Sequence, residues 1–238
     1  MWITWRRYRV RVVLFALYAL ALIILMIITE HGFQSVVTSC NHHEVVAFQD
    51  RACRSAASRV GERDGAAVLG IAFAPILVGL IFGAPLIASE FEAKTNRLAW
   101  AQGLTRTKWL LVAWSTLAAA TLVTVSILAI FAHWWAAHIF GIVTAGSGLS
   151  IPIGNTGVVL VATAIFSLSF GTSMGAVFRS LSMSVAGTLI GLLVIVTPIS
   201  VNTRGPRALP QWEVAGIYLL LAAAFLGLSV WAVRRWRA

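Results

Sequence analysis

Six apolar runs, separated by shorter polar intervals, account for most of the chain. They fall at about residues 12–29, 66–88, 109–132, 156–178, 181–199 and 214–233. The shortest holds eighteen residues. At a rise of about 1.5 Å per residue it reaches about 27 Å, which just crosses a hydrocarbon layer. Lipid offers no partner to a bare backbone amide, so runs of this kind cross as helices. The pattern predicts an all-α fold, a polytopic membrane helix bundle with six transmembrane helices in one transmembrane domain over residues 1–238.

The polar intervals differ in character. Residues 1–11 mix Arg6, Arg7, Arg9 and Arg11 with Trp2, Trp5 and Tyr8, a composition suited to an interfacial helix at headgroup level. The apolar run behind them exceeds the usual length of a secretory signal, and no A-x-A-like site follows, so it reads as an uncleaved first span. Residues 30–65 form a long outer loop. His133, Trp134, Trp135 and His138 mark a membrane interface, and residues 141–155 read as an outer loop or a shallow re-entrant piece. Arg179 and Ser180 make a tight turn between the fourth and fifth spans, and residues 200–212 read as a turn-rich loop.

Small residues mark where helices pack. The second span carries Gly79 and Gly83, the fourth Gly171 and Gly175, the fifth Gly187 and Gly191. Such spacing lets backbones approach closely. Pro75 and Pro85 interrupt the second span, and each frees a backbone carbonyl that a neighbour must satisfy. A kinked helix buried in the bundle is expected there.

Charge then orients the chain. Only 11% of residues are charged, against about a quarter in soluble domains, and the net charge is +10. Of 18 basic residues, twelve lie in the N-terminal arm, the 89–108 interval, the tight turn and the tail. Only Glu90 and Glu92 accompany them. The other side holds six arginines and six acids, so it nets to zero. The positive-inside rule therefore predicts a multi-pass protein of the plasma membrane with both termini and residues 89–108 in the cytoplasm. It also explains the basic balance without nucleic acid.

Candidate chemistry is sparse, and no catalytic residue emerges. NHHEVVA, at 41–47, fails the H-E-x-x-H zinc pattern because Ala47 stands where the second histidine belongs. A looser outer set of His31, His42, His43 and Glu44 carries the alternative of a membrane enzyme. Cys40 and Cys53 lie on the face where oxidation is allowed, and a disulfide between them would pin the outer loop. Two cysteines alone do not establish proximity. Lys108 follows Gly103 by five residues, but Thr107 occupies the second glycine position of a P-loop. ATP binding of that kind is excluded. No ionisable residue falls well inside a predicted span, which weakens the alternative of an ATPase-independent secondary carrier or channel.

The interval 89–108 stands apart. It is a polar island with the chain's only lysines, Lys94 and Lys108. Phe91, Thr95, Leu98 and Gln102 share one face of a short helix over about 91–101. Gly103 can end that helix, and Thr105 can cap the next.

The stretch GAPLIASEFEAKTNRLAWAQGLTRTKWL resembles the cytoplasmic loop of type-2 ABC-transporter permeases, particularly the short actinobacterial kind. Glu90, Glu92, Thr95, Arg97, Leu98, Trp100, Gln102, Gly103, Thr105 and Arg106 match that pattern. TWRRYR at residues 4–9 and FGTSMGAVFRSLSMSVAG at 170–187 are similar as well. The chain departs from the pattern at Lys94, where glycine is common. Its long outer loop follows the first span, whereas larger relatives elaborate the chain after the fifth.

The resemblance implies a non-catalytic permease subunit of an exporter. Two such subunits, identical or sister chains, pair with two copies of a separate ABC ATPase that binds ATP and Mg. It implies that residues 89–108 are the coupling loop, with Glu90, Phe91, Glu92, Thr95, Arg97, Leu98, Gln102, Gly103, Thr105 and Arg106 facing the ATPase. It places the path in the second and fifth spans, here at Phe73, Leu77, Thr188 and Leu192. An apolar lining suits a hydrophobic or amphipathic cargo, as in multidrug or antibiotic efflux. An accessory subunit that only anchors a partner is the remaining alternative.

Overall fold

The computed structural model describes residues 2–39, 51–92, 105–143, 157–202 and 210–235. Their regular elements are all helical. They are α1 (Trp2–Ser39), α2 (Arg51–Val78), a π-helical segment (Gly79–Gly83), α3 (Ala84–Glu92), α4 (Arg106–Val143), α5 (Val158–Phe178), α6 (Leu181–Asn202) and α7 (Gln211–Arg235). Five stretches are long and apolar enough to cross a membrane, at Tyr8–Gly32, Gly65–Glu92, Thr107–Ala136, Val158–Phe178 and Gln211–Arg235. α6 adds a shorter one, Leu181–Val196. The molecule is a polytopic helix bundle.

Several helices outrun the apolar stretches that mark them in the sequence. α1 is continuous from Trp2 to Ser39, so the basic arm expected as a separate surface helix shares the axis of the first span. Neither Gly nor Pro occurs before Gly32, and nothing else there breaks a helix. α2 begins at Arg51 and α4 continues to Val143, both within stretches expected as outer loop. Hydropathy marks where lipid begins, whereas hydrogen bonding along the backbone continues until a breaker intervenes.

α5 is the centre of the bundle. It packs against α2, the π-helical segment, α3, α4, α6 and α7, and 78% of its span is buried, against 28–44% for the other long spans. Leu160, Ala164, Leu168 and Ala176 face one core with α1, α2, α3 and α4, including Met26, Ile71, Phe82, Leu117 and Trp135. Val159, Ala162, Phe166 and Phe170 face a second core with Ile76, Leu192, Tyr218 and Ala222. A helix between two cores must be acceptable all round. Four of its five hydroxyls achieve this by bonding to their own helix, and Ser167 Oγ is buried without a partner among the described residues. Thr163 donates to Val159 O at 2.7 Å and Thr172 to Leu168 O at 2.7 Å. Ser169 donates to Ile165 O at 3.0 Å.

The expected glycine faces meet each other. A Cβ built on Gly171 would stand 2.5 Å from Gly79 O and 3.0 Å from Gly83 Cα. One on Gly83 would stand 2.7 Å from Leu168 O, and one on Gly175 2.7 Å from Ala84 O. The π-helical segment therefore lies on α5 backbone to backbone. Gly187 and Gly191 of α6 work differently, receiving the rings of Phe178 and Phe170.

The prolines explain the irregular turn. Pro75 lies inside α2. Pro85, in the first turn of α3, has no N–H for the carbonyl four residues earlier, that of Ile81. Arg11 Nη1 donates to that oxygen at 3.4 Å. Just before it, Ala84 N–H reaches back five residues to Gly79 O, the register of a π-helix. A second donor from α1, Tyr18 Oη, reaches Gly70 O at 2.7 Å.

Candidate functional site

The polar ends of α1, α3, α4, α5, α6 and α7 gather at one end of the bundle. Arg9, Arg11, Lys108, Arg179, Arg234 and Arg235 lie there with Glu90 and Glu92. At the opposite end α1 and α4 are pinned by Trp135 Nε1, which donates to Thr29 Oγ1 at 3.2 Å, while Thr29 donates to Met26 O at 2.9 Å. Glu30 beside it is buried, with Gln34 Nε2 donating to its Oε1 at 3.4 Å. Glu30 sits on α1 within the apolar stretch Tyr8–Gly32, not in the loop to which the sequence assigns it.

The basic end is built around the last turn of α3. Ser89 Oγ donates back to Pro85 O, and Phe91 packs half-buried against the first core. Glu92 is exposed, and its Oε1 accepts the backbone N–H of Leu181 at 2.7 Å. Leu181 opens α6, whose first N–H groups have no partner within the helix. A carboxylate there both satisfies a donor and complements the positive end of the helix dipole. Glu92 thus caps α6 from a different span.

The turn between α5 and α6 completes this joint. Arg179 has φ 55°, left-handed, and its N–H closes α5 onto Gly175 O at 3.2 Å. A non-glycine residue there costs about 1 kcal/mol. Its guanidinium carbon lies 5.9 Å from the centre of the Phe91 ring, within the range of a cation–π contact. Ser184 Oγ bonds to Ser180 O at 2.6 Å and lies 3.4 Å from Met174 O, joining the start of α6 to the end of α5. Residues 91–92 and 179–184 therefore form one knot linking α3, α5 and α6.

On the far side of the island Thr105 is exposed, and its Oγ1 accepts Lys108 N–H at 3.4 Å. Trp109 N–H bonds to Thr105 O at 3.0 Å. Thr105 caps α4 as its position implies. Arg106 opens that helix. Glu90 is half-buried near the end of α3. Thr95, Arg97, Leu98, Gln102 and Gly103 lie outside the described residues.

The residues expected along a path separate into two places. Thr188 and Leu192 are fully buried and meet over Gly79, where an added Cβ would stand 3.3 Å from Thr188 Cγ2 and 2.9 Å from Leu192 Cδ1. Leu77 packs half-buried on the first core, and Phe73 is 47% exposed. Cys40, His42, His43 and Glu44 lie outside the described residues, as does the side chain of Cys53. His31 is exposed on α1.

Sequence reasoning missed two contributors. Arg11 reads as a membrane anchor, yet it bonds to the carbonyl freed by Pro85; the spacing from Ile81 to Pro85 was the available signal. The contact of Glu92 with Leu181 spans 89 residues, and no local pattern encodes it.

Residues 12–204 match the family model described as ABC-2 membrane transporter related. No curated protein and no solved structure matches the chain.

Proposed function

This chain belongs to the ABC-2 membrane transporter related family, and on that premise we propose that it is the permease subunit of an exporter whose ATP is hydrolysed by a separate chain. Residues 89–108 sit in the cytoplasm and form the seat for that ATPase. The observation that carries this reading is Glu92 bonded to the first amide of α6. A push on the island at this point would act on α3, α5 and α6 together.

A partner can move a membrane bundle only through contacts that differ in free energy between two states. The knot of Glu92, Phe91, Arg179 and Ser184 supplies a connection for that difference. The glycine seam carries it into α5, since backbone in contact with backbone has no side chain to yield. Opening then separates Thr188 and Leu192 from Gly79, where α6 lies on the second span, and exposes an apolar path to a hydrophobic or amphipathic cargo. Two permease copies, or a copy and a sister chain, with two ATPase copies complete the transporter.

The test is the pair Glu90→Lys with Glu92→Lys in a reconstituted complex with the partner ATPase. The expected result is a fully inserted permease whose ATP-dependent transport is lost. Undiminished transport would remove the coupling role from this loop.

A further inference from the structure

A cleft of about 500 Å³ opens at the basic end between α4 and α7. Its walls are mainly apolar, with Leu111, Val112 and Trp114 from α4 and Leu226 from α7, beside the hydroxyl of Ser115. Leu111 is 41% exposed there. Its mouth is polar and cationic. Thr107 and Lys108 line it, and Arg234 Nε donates to Thr107 Oγ1 at 3.4 Å, which places a second cation at the rim. Among the described residues lining the cleft there is no Asp or Glu. The indole N–H of Trp114, one of the lining residues, is buried without a hydrogen-bond partner among the described residues.

We propose that this cleft binds an anionic phospholipid of the leaflet at the basic end. The phosphate would sit between Lys108 and Arg234, with an acyl chain along Leu111 and Leu226. Each part of the cleft matches one part of that molecule. A phosphodiester is an acceptor without donors, which suits Lys and Arg at a rim with no acid among the described residues. An exposed leucine wall inside a transmembrane bundle suits a hydrocarbon chain and not water. A basic pocket between spans at the membrane surface is the physical form of anionic-lipid recognition. A soluble phosphate ester would satisfy the rim and leave the wall uncovered. The inference needs only that the bundle spans a membrane; it does not depend on an ATPase.

The purified chain in detergent is titrated with phosphatidylglycerol and with phosphatidylcholine, and bound lipid is counted by native mass spectrometry. The expected result is selective retention of phosphatidylglycerol. Lys108→Ala with Arg234→Ala is expected to weaken it about tenfold or more, since both charge-assisted contacts to the phosphate are removed. Leu226→Trp, which fills the cleft and keeps both charges, is expected to reduce retention as well. Arg9→Ala at the same end of the bundle is expected to leave it unchanged. Equal retention of the two lipids overturns the proposal. So does a loss in Arg9→Ala matching that in the double variant, which would mean diffuse surface charge. Displacement of the lipid by millimolar inorganic phosphate alone would also overturn it, since the wall would then contribute nothing.

Discussion

The central helix α5 has two long seams, and they are made of different materials. Against the π-helical segment and α3 the contact is backbone on backbone, through Gly79, Gly83, Gly171 and Gly175. Against α7 the contact is a cluster of tilted and edge-on rings. Phe166 lies 5.5 Å from Tyr218 and 6.0 Å from Phe225, and Phe170 lies 4.9 Å from Phe225 at 83°. Rings change rotamer and slide; a backbone carbonyl fixed in a helix cannot. The difference makes the seam between the second span and α5 the less yielding of the two. That seam is the one tied to the island through α3.

Gly171→Val probes the rigid seam most severely. The atoms nearest its new Cβ are all backbone, those of Gly79, Gly83 and Ala84, and overpacking of this kind costs about 1–3 kcal/mol or more. Loss of folded protein from detergent extracts is expected, and a variant with unchanged thermal stability would mean the seam is looser than its geometry. Gly83→Ala should follow it, since its Cβ would meet Leu168 O at 2.7 Å.

Arg11→Leu removes the side-chain donor to the Ile81 carbonyl, at an expected cost of up to about 1–3 kcal/mol. Arg11→Lys should recover part of the loss in melting temperature, because it keeps a donor. If the two variants melt alike, the bond to the π-helical segment contributes nothing to stability.

Phe225→Leu probes the other seam. The edge-on pair with Phe170 is expected to contribute about 0.5–1.5 kcal/mol beyond buried area, so a modest fall in stability is predicted. A collapse as deep as that of Gly171→Val would erase the distinction between the seams. At the small end, Gly216→Ala has nothing within 4 Å of its new Cβ. It is expected to be neutral or to raise stability by up to about 1 kcal/mol.

Much of this division was legible in the chain itself. The six runs predict the spans, and the paired glycines mark the rigid seam because a missing side chain is a local property. Pro85 announces a carbonyl in need of a donor. What the chain conceals is which partner answers. Arg11 lies 70 residues from Ile81 and Glu92 89 residues from Leu181, and both joins depend on how six helices assemble. Helix ends were also hidden, because a polar residue such as Arg9 or His133 extends a helix as readily as an apolar one. Thr105 was the exception, since a cap is read from a few adjacent residues.

The joint at Glu92 can be separated from its charge. Glu92→Gln keeps an oxygen for the Leu181 amide, whereas Glu92→Ala removes it. If the joint transmits motion, transport by the alanine variant falls well below that of the glutamine variant, with both inserted equally.

The most direct measurement places a photo-crosslinking residue singly at Thr95, Leu98 or Gln102, and for comparison at His31 or His133, in intact cells. The account predicts adducts to a nucleotide-hydrolysing subunit from the first three positions and none from the other two. Adducts to such a subunit from His31 or His133 alone would contradict it.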